Sequence, residues 1–307
     1  MNFSKLDMQM LQTISDMNGI PKGAVNIRLN GEAVLRNSSP NIKITSKTDK
    51  PGMNVEIRPG TRNETVHVPV VLTQSGLNDK VYNTFIVGED ADVVIIAGCG
   101  IHNEAHANSR HDGIHDIIVK KGARLLYTEK HYGQGEGAGK RILNPTTVVT
   151  VEDGAYCEME LVQIKGVDDT IRNTEAVIHK KGNLRIVEKL LTQGDQNAVS
   201  DIKIVIEGKG GTAQVLSRSV AQEHSMQSFH AALTGKTECF GHVECDAIIM
   251  GNAVIRSIPE LHAENAEAVL THEAAIGKIA GEQLIKLMSL GLTEEEAVNT
   301  ILDGFLK

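Results

Sequence analysis

The residue types best suited to hold a transition metal gather near the C-terminal end of this chain: Cys245, His262, Glu264, His272 and Glu273. Soft sulfur and borderline nitrogen both hold iron or zinc, so a thiolate, imidazoles and carboxylates together suit such an ion. Cys245 lies in a period-2 segment, and His272-Glu273 follow at about the length of one repeat unit. The competing reading makes Cys245 a small buried hydrophobe and His272-Glu273 a polar helix entry. A second group is richer in histidine: His102, His106, His111 and His115, with His131 beyond them. A spacing of four would put His102 and His106 on one helix face, but Asn108, Ser109 and Gly113 disfavour a helix there. His102-Asn103-Glu104-Ala105-His106 also lacks the His-Glu-x-x-His order of zinc proteases. A metal or acid–base role for this stretch competes with a solvated polar loop.

Other chemistries lack their signatures. No GxxxxGK[ST] occurs, so direct ATP binding through a P-loop is not expected, and no G-x-S-x-G elbow is present. Gly133–Gly139 does not join a strand to a helix and reads as a flexible loop rather than a phosphate cradle. Cys99, Cys157, Cys239 and Cys245 form no CxxC pair, which excludes a zinc ribbon. Met1–Asp7 shows no secretory leader and no run approaches the ~18 apolar residues of a membrane span. The expectation is a cytoplasmic chain with reduced thiols. The net charge of -8 speaks against a nucleic-acid or anionic-membrane surface.

The elements that must position these residues follow from periodicity. Residues 4–17 read as a helix with Ser4 as its cap. From Val25 onward short alternating runs such as Val25–Leu29, Val66–Val70 and Val93–Ile96 mark strands. Charged glycine turns recur at Gly122, Gly154, Gly182 and Gly210, in steps of 32, 28 and 28 residues. Such steps without intervening helices indicate a β-solenoid, with a β-sandwich as the competitor. Aromatic residues make up only 3% of the chain, with no Trp, while Gly reaches 29, which suits thin aliphatic layers stacked coil on coil. Asn103–Gly113 and Gly133–Gly139 read as loops projecting from the solenoid. Ala274–Leu290 reads as an amphipathic helix, and Thr293 with Glu296 forms a capping box for another. The expected domains are 1–24 (N-terminal helix and linker), 25–270 (β-helix core) and 271–307 (C-terminal helices).

At this point the residues resemble the SufB/SufD family. Glu244–Gly251, Ser257-Ile258-Pro259-Glu260, Thr271–Ile279, Glu282-Gln283-Leu284, Gly291–Ala297 and Gly304-Phe305 look like its C-terminal core, and Asp116–Leu125 resembles its middle. The resemblance covers about residues 85–306. It implies a right-handed parallel β-helix with a small C-terminal helical domain, in a non-enzymatic scaffold for iron–sulfur cluster assembly. It also implies a SufC-type ABC ATPase docking on the C-terminal helices, a sulfur donor such as a cysteine desulfurase, and pairing through the end of the β-helix. Carried over residue by residue, Cys245, His272 and Glu273 match the family's SufB-type site, which would hold a transient cluster at a homodimer interface. The family's sulfur-accepting cysteine finds no counterpart around Leu184–Gln193, and Cys157 lies an earlier coil away. The rival is a β-helix enzyme, a polysaccharide lyase or His-metal hydrolase, using the His102–His131 loops. Scarce aromatic residues and the absent leader count against it.

Overall fold

The computed structural model describes residues 3–306; Met1, Asn2 and Lys307, the outermost residues of the expected end domains, lie outside the described residues. Strands make up 59% of the chain and form a β-solenoid of about 8 turns, with three helices. The first helix, α1 (Lys5–Ser15), begins where expected. Its cap Ser4 accepts the Asp7 N–H at 3.1 Å, and the Asp7 carboxylate accepts the Ser4 N–H at 2.9 Å.

Two hairpins come next. β1 (Ala24–Leu29) and β2 (Glu32–Asn37) meet at Asn30-Gly31, both in the left-handed region at φ 50° and 85°. β3 (Ile42–Ser46) returns antiparallel as β4 (Gly52–Ile57). The coils follow, each made of two strands. They are β5 (Arg62–Leu72) with β6 (Asn78–Val87), then β7 (Asp92–His102) with β8 (Ser109–Val119). β9 (Arg124–Gln134) is followed by the split pair β10 (Arg141–Leu143) and β11 (Thr146–Val151), and β12 (Tyr156–Lys165) by β13 (Asp169–Ile178). β14 (Asn183–Thr192) and β15 (Asn197–Ile206) precede β16 (Gly211–Ala221) and β17 (Met226–Gly235). β18 (Cys239–Ile249), β19 (Val254–Ala263) and β20 (Ala268–Gly277) end the solenoid. The first strand of each coil joins a sheet ordered β2-β1-β5-β7-β9-β12-β14-β16-β18-β20, and the second joins an opposing sheet that runs back from β19 to β3.

Pairing between coils is parallel, and each coil places a residue beside one 27 to 32 positions later, as Lys120 beside Glu152 and Glu158 beside Arg185 show. Alternate residues face inward, giving layers of Val, Ile, Leu and Ala with a few rings such as Phe85 and Phe229. The corner position in the left-handed region is Gly122, then Gly154, then Lys181 at φ 54°, then Gly210. Gly182 thus lies one residue beyond the turn position in its coil.

Helix α1 rests on the outer face of the first sheet, with Met10, Leu11, Ile14 and Met17 buried against Val25, Ile27 and Val71. Gly98 makes that seat: a Cβ there would collide with the Ile14 carbonyl. The glycine-rich stretches are not projecting flexible loops. Residues 103–108 and 135–140 stack as one widened corner, with the Asn103 N–H donating to Gln134 O at 3.0 Å and the Gly139 N–H to Ala105 O at 2.8 Å. The glycines at 135, 137 and 139 are needed because a Cβ on each would strike the backbone of residues 103–107.

The C-terminal boundary also differs from expectation. Ala274–Gly277 belongs to β20, because register with β18 captures the whole of Ala268–Gly277 in the sheet. Its helix-like apolar spacing yields to that ladder. α2 (Gly281–Ser289) starts later, and α3 (Glu294–Phe305) carries the expected Thr293–Glu296 capping box. No helix among the described residues is long and apolar enough to cross a membrane.

Candidate functional site

Consecutive residues of a strand point to opposite faces, and this alternation decides where each candidate goes. Cys245 on β18 faces inward with Val243 and is 5% exposed. Burial pushes its thiol up in pKa, while the adjacent Ser257 hydroxyl lowers it. On β20, His272 sits in register with Val243, so it shares the inward face with Cys245 as a diagonal neighbour. Because the described strands end there, no further coil covers His272 and it stays exposed.

Glu273 points to the other side. It pairs with Glu244, while His242 pairs with Thr271. His242 Nε2 lies 3.4 Å from Glu273 Oε1, and one ligand atom from each of His242, Glu244 and Glu273 lies within 4.8 Å of the others. Thr271 Oγ1, 2.8 Å from His242 Nδ1, holds the ring with Nε2 turned to the carboxylates. One imidazole and two carboxylates suit a divalent first-row ion such as ferrous iron. The site therefore has two faces on neighbouring residues, a thiol inside and a nitrogen–oxygen group outside. His262 and Glu264 do not join it. His262 lies on β19 in the opposing sheet, 3.5 Å from Glu260, and Glu264 follows that strand. His242 and Glu244 were missed in the sequence, although both occupy outward positions flanking Cys245.

The histidine-rich stretch corrects the expectation of a solvated loop. His102 and His106 lie at the corner, with His102 Nε2 3.1 Å from Glu104. His111, His115 and His131 are buried inside the solenoid. Arg28 and His111 both contact Asp79, at 2.6 and 3.0 Å. Glu129 receives the Tyr127 hydroxyl at 2.7 Å, His131 at 2.9 Å and Arg172 at 3.3 Å. Arg172 also reaches Glu188 at 3.3 Å. Burial alone would raise Glu129, but the His131 hydrogen bond and the His131 and Arg172 charges hold it well below the usual carboxylate range. Burial raises Glu188, since the guanidinium opposing it is shared. A β-helix enzyme needs such groups on an open groove, and these three histidines face the interior.

Burial pushes Cys157 up to about 12, and all four cysteines are free and buried.

Comparison with known proteins bears on this geometry. Residues 72–305 match the family described as SUF system FeS cluster assembly, SufBD core domain. An iron-sulfur cluster assembly SufBD family protein of Methanothermobacter thermautotrophicus is 31% identical over 229 residues, 73% of this chain and 54% of that protein. A SufBD family protein of Pyrococcus horikoshii is 26% identical over 286 residues, 91% of this chain and 86% of that one. The iron-sulfur cluster assembly protein SufB of Bacillus subtilis is 28% identical over 228 residues, 72% of this chain and 48% of that protein. The chain thus spans about half the length of the Methanothermobacter relative it matches.

Proposed function

This chain belongs to the SufBD family, and from that premise we propose that it is a scaffold on which a labile iron–sulfur cluster is built. The observation that carries the reading is the two-faced site at the last coils. The Cys245 thiol lies inside, and His242, Glu244 and Glu273 lie within ligand distance of one another outside. Iron is cargo here. The outer nitrogen and oxygen ligands receive the ferrous ion, and Cys245 with His272 supplies the thiolate and imidazole that a cluster needs. Histidine or carboxylate ligation in place of cysteine leaves a cluster easier to release, which suits a scaffold that hands it on.

The finer assignments rest on the same end of the molecule. A second copy of the chain pairs across β19 and β20 about a two-fold axis, bringing two sets of Cys245, His272 and Glu273 to one interface, Cys245 and His272 on the inner face of each copy and Glu273 on the outer. Exposed Val269, Ile258 and Ile276 on those strands support such a contact. A SufC-type ABC ATPase docks on α2 and α3, where Ile285 of α2 and Leu290 at its C-terminal cap are the most exposed large apolar side chains described. ATP is bound by that partner, and sulfur arrives from a cysteine desulfurase or another donor. The four reduced thiols fit a cytoplasmic setting.

The test is anaerobic reconstitution of the chain with iron, sulfide and the ATPase, followed by absorption spectroscopy and sizing. The expected result is a cluster chromophore on a dimer, abolished by Cys245→Ser combined with His272→Ala. A chromophore of full intensity in that double variant refutes the site.

A further inference from the structure

Inside the second and third coils, three strands turn metal-ligating side chains toward one space. A gap too narrow for a water molecule is lined by Cys99 of β7, His111, Gly113 and His115 of β8, His131 of β9, and Leu143, Asn144 and Pro145. Gly113 creates it. Placed between the two histidines at an inward position, it leaves a gap where a Cβ would meet His115 Nε2 at 2.8 Å and His111 Nε2 at 3.5 Å. Both Nε2 atoms therefore border the same spot.

The state of His111 follows from its neighbours. Its Nδ1 lies 3.0 Å from the Asp79 carboxylate, which Arg28 holds from the other side. A carboxylate fixes the proton on Nδ1 and leaves a lone pair on Nε2. That Nε2 is buried and has no hydrogen-bond partner. An unsatisfied buried acceptor costs about 1–3 kcal/mol, so its persistence calls for a partner. Water is not that partner, because the space is too narrow to admit one. A bare cation bonded at roughly 2.0–2.3 Å to nitrogen and sulfur needs less room than a water molecule. His131 is excluded as a ligand, since one ring nitrogen engages Glu129 at 2.9 Å and the other lies 3.4 Å from Arg172.

We propose that this cavity is a metal site in which Cys99, His111 and His115 bind zinc or another thiophilic divalent ion, independently of cluster assembly. Asp79 orients His111 through its Nδ1, the carboxylate–histidine–metal arrangement of resident metal sites. Among the described residues only His242, Glu244 and Glu273 already lie within 4.8 Å of one another, so the interior ligand atoms must draw together when the ion binds. Binding displaces the thiol proton and, at an enclosed position, accompanies folding.

The experiment is anaerobic refolding of the full chain with cobalt(II), removal of free ion, and measurement of bound cobalt and its thiolate-to-metal charge-transfer absorption. The expected result is one retained cobalt with a thiolate band that Cys99→Ser removes. His111→Gln, which keeps a polar side chain beside Asp79, should weaken retention at least tenfold. Cys157→Ser, a fold control, and Cys245→Ala with His272→Ala should both keep the band. A band that survives Cys99→Ser, a band lost with Cys245 instead, or cobalt retained without any thiolate band each overturns the proposal. The cluster chromophore is read separately, so either assignment can fail alone.

Discussion

The two ends of this solenoid are built on opposite principles. At the N-terminal end, antiparallel hairpins stop both sheets, and α1 with the Met17 that follows it covers the outer face with four fully or nearly buried apolar side chains. At the C-terminal end, β19 and β20 stand as edges, and nearly every residue of β20 is exposed. Unpaired edges invite strand addition unless a protein blunts them. The first end is sealed against solvent, whereas the last is left open.

Paired substitutions can break or sharpen this contrast. The largest expected effect is at the seat of α1. Ile14→Ala removes a fully buried side chain and should destabilise by about 2–5 kcal/mol in urea unfolding. Ile276→Ala at the open end should stay within about 0.5 kcal/mol in the monomer. Equal losses at both positions would erase the distinction. Next in size, Ile258→Lys with Val269→Lys should leave the fold intact but raise the dimer dissociation constant about 100-fold, roughly 2.7 kcal/mol, by light scattering across a dilution series. Unchanged self-association would mean that the open end is not the dimer face.

Gly98→Ala pushes a Cβ into the Ile14 carbonyl and should cost about 1–3 kcal/mol, while Gly277→Ala meets nothing within 4 Å and should be silent. Thermal unfolding distinguishes them. The smallest contrast lies in two capping boxes of the same design. Ser4→Ala should lower global stability by about 1 kcal/mol, because α1 is packed into the sealed end. Thr293→Ala should speed amide exchange in α3 without moving the global transition, since only Ala297 and Leu302 of that helix are buried. A global shift from Thr293→Ala would show that α3 belongs to the cooperative core.

The coiled architecture was legible because glycine turns and period-2 runs are local signals, and so were the Ser4 cap and the Thr293–Glu296 capping box. Residue type and motif single out Cys245, His272 and Glu273 as candidates. What stayed hidden depends on register. Ala274–Gly277 reads as helix until its ladder with β18 is known. The inward positions Leu125, Tyr127, Glu129 and His131 do alternate in the sequence, a signal that Glu129 and His131 face the core. Their partner Arg172 lies 43 residues after Glu129, too far for any local pattern to announce. His111 and His115 read as loop residues because a polar residue facing inward has the same letter as one facing water.

Stacked coils also give this molecule a unit of length. From β7 to β18 the first sheet advances five strands, so about 24 Å separate Cys99 from Cys245 at ~4.8 Å per step. Inserting or deleting one whole coil between them would change that span by a single step, yet leave the pairing partners within each site untouched. Distance between two chemical centres is thus adjustable here in fixed increments, the way a ruler is cut at its marks.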